Sequence, residues 1–195
     1  PFVGFALDTI KDKGRVGMIV PSTLATGSNT QKFFREIIEG ENLVSLYDFE
    51  NRNGIFPDIH KSYKFCLLTL SGAKDPVDEF KLSFYLDRID QLQDQDKQYK
   101  LSKEEIELLN PNTKTCPVFN HRNEAELTIK LYKATGVLNE KEAENGNPWD
   151  VDLTRTFDTS DDSHLFKTKS ELEPESERVR NTYIKDDKRR LPVYE

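Results

Sequence analysis

Lys13-Gly14-Arg15-Val16-Gly17-Met18-Ile19-Val20-Pro21 ends one helix and makes one strand. The run from Val16 to Val20 is apolar except for Gly17, and Pro21 closes it. Such a run reads as a strand buried on both faces of a parallel sheet. Upstream, Phe2, Phe5, Ala6, Thr9 and Ile10 share one helical face, which Lys13-Gly14 terminates. Downstream, Ser28 followed by Gln31 has the spacing of a capping box. Behind it Phe33, Phe34, Ile37 and Ile38 form an apolar stripe that suits packing on a sheet, and Gly40 ends that helix. Residues 43–49 read as a strand and 63–70 as another, ended by Ser71-Gly72. Residues 51–61 between them are polar and turn-rich, with Asn53-Gly54 and Phe56-Pro57. Helix, strand, helix, strand, loop, strand is the order of an α/β layered sheet. Two strands joined by a loop without a helix are expected to pair antiparallel.

The texture changes after residue 73. Residues 80–86 suit one more strand, and 90–100, with four glutamines, suits an exposed helix end or loop. Ser102 with Glu105 is a second capping box, opening a helix to Leu109 that Asn110-Pro111-Asn112 stops. Asn123 is placed to cap a helix carrying Leu127, Leu131 and Ala134 and ended by Gly136. Beyond 139 the chain reads as acidic loop with isolated aromatics at Trp149, Phe157, Phe166 and Tyr183. Two regions are expected: an α/β part over 1–86, and a mostly helical and irregular part over 87–195.

The net charge of −7 is uneven. Residues 1–72 carry 8 of the 28 basic and 8 of the 35 acidic residues, so the whole imbalance lies beyond residue 72. That balance argues against a free-standing DNA-binding module, though not against a piece of a larger DNA enzyme. Cys66 and Cys116 lack metal-type spacing and read as buried free thiols of a cytoplasmic protein. His60, His121 and His164 are scattered, so no metal site is expected. No stretch reaches the length of a membrane span. The chain starts Pro-Phe-Val without initiator Met or leader, which reads as a start inside a longer polypeptide.

Gly14-Arg-Val-Gly-Met-Ile-Val-Pro-Ser-Thr-Leu24 resembles the segment that follows the catalytic loop in adenine-specific DNA methyltransferases, with Gly14 and Pro21 at its motif positions. Phe34-Arg35-Glu36, residues 43–49, Ile55-Phe56-Pro57 and Ser62-Tyr63-Lys64-Phe65 follow in the family's order. Leu109 to Thr113 and Leu191 to Glu195 are similar to segments of the large type II and type I-like restriction-modification enzymes, between methyltransferase and target-recognition regions. The resemblance implies the last strands of a Rossmann-like methyltransferase sheet, with an antiparallel pair, over 1–86, and a spacer leading to a target-recognition region over 87–195. It implies a bacterial, cytoplasmic parent that transfers methyl from S-adenosylmethionine to adenine in double-stranded DNA. Its remaining methyltransferase and target-recognition segments, and a nuclease segment if the parent also cleaves DNA, would belong to the same polypeptide.

An enzyme that methylates a base amino group must extrude the base, and an extruded ring needs aromatic faces. The resemblance assigns one such face to Phe56; the alternative is a turn aromatic tucked against the core. Arg52, His60, Lys61 and Lys64 surround the same loop as candidate phosphate contacts, against the alternative of ordinary solvated charges. Asp48 and Glu50 near a strand end read as solvated or capping carboxylates rather than catalytic ones. No catalytic, donor-binding or metal-binding residue is expected here: the sequence holds no Gly-rich turn between strand and helix and no Asn-Pro-Pro-Tyr. Two other readings stay open, a non-catalytic DNA-recognition or subunit-docking segment and an unrelated nucleotide-binding α/β domain.

Overall fold

A computed structural model describes residues 2–141, 143–155, 158 and 160–191. Packing divides the chain into one unit up to Val151 and another from Asp152. In the first, helix α1 (Phe2–Thr9) precedes strand β1 (Arg15–Pro21), the single turn α2 (Thr23–Thr26) and helix α3 (Gln31–Glu39). Strands β2 (Leu43–Glu50), β3 (Lys64–Ser71), β4 (Phe80–Leu86) and β5 (Tyr99–Leu101) follow, then helices α4 (Lys103–Leu109) and α5 (Arg122–Thr135). The five strands form one mixed sheet in the order β1-β3-β2-β4-β5.

Strand β3 runs antiparallel to both neighbours, with Val20 opposite Cys66 on one side and Leu46 opposite Leu68 on the other. β1 and β2 therefore point the same way. The expected antiparallel pairing of 43–49 with 63–70 is present, and residues 51–63 join the two strands. β4 adds to β2 in parallel, and β5 to β4 antiparallel. α3 supplies the stripe that covers the sheet: Phe34, Ile37 and Ile38 are buried. Each such side chain contributes about 1.5–3 kcal/mol of apolar burial.

Several local expectations shift. β1 is an edge strand of the sheet, and its burial alternates, so one face is open rather than both being enclosed; Ile19 is 59 % exposed. α1 buries Val3, whereas Phe2 and Phe5 on the expected face are exposed. Ser28 does not cap α3, because a 3-10 turn over Ser28–Thr30 intervenes and moves the helix start to Gln31. Gly40 does end α3, but the left-handed residue is Glu41. The Ser102–Glu105 capping box forms as read, with Ser102 Oγ accepting from the Glu105 N–H. α5 starts one residue before Asn123, its first turn fixed by Glu124, which accepts the N–H of Asn120 at 2.8 Å.

Residues beyond 86 pack on the same core. Tyr99, Leu101, Ile106, Leu109, Cys116 and Ala125 join Val20, Phe34 and Leu68 in one apolar cluster. The Tyr99 hydroxyl donates to the Pro117 carbonyl and accepts from the Phe119 N–H, both at 3.1 Å. Any change of role at residue 86 is thus not a break in packing. Cys66 and Cys116 are buried and free, and burial pushes the Cys66 thiol up to about 12. Among the described residues, no helix is long and apolar enough to cross a membrane.

The second unit departs from the loop expected there. A turn of helix, α6 (Lys169–Leu172), precedes β6 (Glu177–Val179), β7 (Thr182–Lys185) and β8 (Lys188–Arg190), an antiparallel sheet in that order. Asp186 and Asp187 both take left-handed backbone (φ 49° and 62°), the geometry of a two-residue hairpin turn. Tyr183 lies within β7. Trp149 is exposed, while Phe157 and residues 192–195 of the Leu191–Glu195 segment lie outside the described residues.

Candidate functional site

Register brings the ends of four strands level. Pro21 and Phe49 both stand opposite Phe65, and Phe49 also pairs with Leu86. This rim carries the carboxyl ends of β1, β2 and β4, and the loop 51–63 rises from it. In open α/β sheets such ends are where ligands bind.

Asn51 builds the loop. It is fully buried, and its side-chain amide donates to the carbonyls of Phe56 (2.9 Å) and Ile59 (2.8 Å). Its Oδ1 accepts the Phe56 N–H at 2.8 Å, and its backbone N–H donates to Tyr63. Gly54 supplies the left-handed turn at φ 71°, which a side chain would strain. Phe56 is thereby clamped from both sides of its own peptide. Its ring meets Phe65 edge-on (centroids 5.0 Å, 72°) and remains 37 % exposed. Phe65 in turn stacks on Phe49 at 5.5 Å and 8°. Phe56 is a turn aromatic whose edge touches the core, with part of the ring left to solvent.

The four candidate cations are exposed around this loop. Arg52 pairs with Glu50 at 3.2 Å, and His60 Nδ1 lies 2.8 Å from Ser62 Oγ. The Lys64 ammonium sits 5.9 Å from the centre of the Tyr85 ring. Gly14 lies away from this rim: its carbonyl accepts from Gly72 N–H, joining the start of β1 to the end of β3. Pro21 closes β1 opposite Phe65.

Asp48 is not solvated. It is 5 % exposed, accepts the Ser22 hydroxyl proton, and accepts the Tyr85 backbone N–H. Tyr85 takes left-handed backbone (φ 59°) where the β2–β4 register shifts between Tyr47 and Phe49. A tyrosine held there stores strain of order 1 kcal/mol or more, and Asp48 holds its N–H. Beside it, Glu50, Arg52, Tyr85, Leu86, Asp87 and Asn120 line an open cleft of about 330 Å³. With its oxygens engaged by Ser22 and Tyr85, Asp48 braces the rim. Among the described residues no group of three or more His, Cys, Asp or Glu is placed to hold a metal. β1 leaves through Ser22, whose hydroxyl is tied to Asp48, and β2 leaves into the Asn51 turn.

Burial pushes the Asp48 carboxyl above its ordinary range, against the Ser22 and Tyr85 hydrogen bonds and the Lys64 charge. A folded pKa above the unfolded one means the group favours the fold most when protonated. Its contribution is present below about pH 4 and is lost as pH rises through the unfolded and then the folded value. Asp48→Asn removes the charge; its carbonyl oxygen can accept from the Tyr85 N–H, and its NH2 can donate to the Ser22 hydroxyl, which turns to accept. Relative to wild type, it should gain stability between about pH 4 and about pH 7 in urea denaturation. An equal difference at both pH values would count against this role.

Comparison with family models finds no match, and comparison with curated proteins finds none. Among solved structures the chain is similar to one described as the structural basis underlying complex assembly and conformational transition of the type I R-M system. The TM-score is 0.41 at 12 % identity, over 55 % of this chain and 28 % of that one. The chain thus spans little more than a quarter of that neighbour's length.

Proposed function

We propose that this chain is part of a DNA adenine methyltransferase of a restriction-modification system, which moves methyl from S-adenosylmethionine to the adenine amino group. The observation that carries the reading is β3, antiparallel between β1 and β2, with an aromatic loop at the carboxyl ends of its neighbours. Methyltransferase sheets place an antiparallel strand in that way near one edge. The sheet here continues past β2 into β4 and β5, a departure from that pattern. Phe56 would be one wall of the pocket for an extruded adenine, and Arg52, His60, Lys61 and Lys64 would fix the backbone of the DNA. Acceptor chemistry of this kind needs positioning and charge stabilisation more than a strong base. In the parent this role belongs to the cytoplasm, and the segment beyond residue 86 serves as spacer toward target recognition.

The test is methyl transfer by the full open reading frame to duplex DNA, with nucleosides analysed for N6-methyladenine. Absence of methyl on adenine from a folded, donor-binding parent would overturn the reading. The 195-residue chain alone should neither bind S-adenosylmethionine nor methylate DNA, because its sequence holds neither a Gly-rich strand-to-helix turn nor Asn-Pro-Pro-Tyr. Calorimetric titration showing donor binding in the micromolar range would contradict that.

The exposed Phe2, Phe5 and Ile19 favour a second reading, a docking segment without catalysis of its own. The two part on the parent: a docking segment predicts a full-length protein that assembles with partners but takes up no methyl donor.

A further inference from the structure

The three-stranded sheet of the second unit gathers cations on one face. Arg178 pairs with Tyr183, Tyr183 with Arg190, and Lys185 with Lys188. Paired residues share a face, and so do alternate residues of one strand. Arg178, Tyr183, Lys185, Lys188 and Arg190 therefore stand on one side. Glu177, Val179, Thr182, Ile184 and Arg189 stand on the other. Four cations surround one tyrosine on a sheet within a chain of net charge −7.

All four cations are exposed. Lys185 pairs with Glu175 at 2.7 Å, whereas Arg178, Lys188 and Arg190 have no ion pair among the described residues. Arg178 lies 5.9 Å from the Tyr183 ring centre and donates to its neighbour Arg180's carbonyl, and Arg190 donates to the Leu165 carbonyl. The turn carboxylates Asp186 and Asp187 sit at one end, beside Lys185 and Lys188. Like charges directly across strands are destabilising, so a face that sets Lys185 against Lys188 gains from an anionic partner. Arg178 and Arg190 are two strand spacings apart, roughly 10 Å. Duplex DNA offers a negative charge about every 1.7 Å of axis, so that row can engage more than one phosphate.

We propose that this face binds the phosphate backbone of duplex DNA without reading its sequence. The inference rests on the reading of the chain as part of a DNA enzyme, and adds a second contact surface distinct from the Phe56 loop. Arginine forks match phosphate oxygens, and a tyrosine hydroxyl is a common backbone contact. Apart from Tyr183, the face carries no aromatic or aliphatic side chain that would insert into a membrane surface.

The test is fluorescence anisotropy of the 195-residue chain with a labelled duplex of arbitrary sequence, from about 50 to about 200 mM salt. The triple variant Arg178→Gln, Lys188→Gln, Arg190→Gln should bind on the order of tenfold or more weakly at low salt. Its plot of log affinity against log salt should be shallower by about 2–3, near 0.9 for each lost phosphate contact. Circular dichroism should match wild type, since all three side chains are exposed. An unchanged slope overturns the proposal. If Arg52→Gln with Lys61→Gln weakens binding while the triple variant does not, this face fails and the DNA reading stands. No duplex binding by wild type overturns the face regardless of the parent's methylation assay. Polyglutamate binding as tightly as the duplex overturns it in favour of an acidic protein segment.

Discussion

Replacing Phe65 with Ala should cost the chain about 3–5 kcal/mol of folding stability. Phe65 is 5 % exposed and sits between two rings, stacked on Phe49 and meeting Phe56 edge-on. Leu86 closes the same small cluster, with Tyr47, Ile55, Leu67 and Leu92 around it. Removing the ring takes away its own burial, leaves a void under Phe49, and ends two aromatic contacts worth about 0.5–1.5 kcal/mol each. The strand pairing around it restricts collapse, because Phe65 faces Pro21 on one side and Phe49 on the other. Phe65→Leu should lose less than half as much. Urea denaturation with an unchanged m-value reads the difference directly. A loss under about 1 kcal/mol would mean the rim is not packed around this ring.

Where an apolar run closed by turn residues, or helical spacing, was present, the elements were readable. That covers β1 to β4 and α3, and the absent helix between β2 and β3 announced their antiparallel pairing. Neighbour choice was not readable. β4 lies beside β2, and its register depends on a bulge at Tyr85, a residue type that gives no hint of left-handed backbone. Asp48 looked solvated because its partner Ser22 lies 26 residues away. Asn51 looked like one more turn residue, although its place before Asn53-Gly54 was the available signal for a loop bracket. Ile19 is exposed because burial alternates along β1 and one of its faces is open, which an apolar run by itself cannot reveal. Strands β6 to β8 are three or four residues long and mostly charged, too short for alternation to stand out.

Phe56 separates packing from function, because its ring is only partly committed to the core. Asn51 fixes the peptide of Phe56 through its N–H and its carbonyl, so the backbone stays in place when the side chain changes. Phe56→Ala gives up one edge-on contact with Phe65 and the burial of a part-exposed ring, a loss of about 1.5–2.5 kcal/mol. That is below the 3–5 kcal/mol expected for a wholly buried ring. In the proposed methyltransferase the same variant should bind target DNA more weakly by about 1–3 kcal/mol, the stacking energy of one base. At 1.4 kcal/mol per tenfold, this is roughly 5- to 150-fold in affinity. Tyr or Trp at position 56 should restore most of it, and Leu should restore less, because a flat face is what a base requires. Binding and melting curves taken on the same variant decide the matter. A fall in stability of 3 kcal/mol or more, with DNA affinity unchanged, would return Phe56 to the core and remove it from the base pocket.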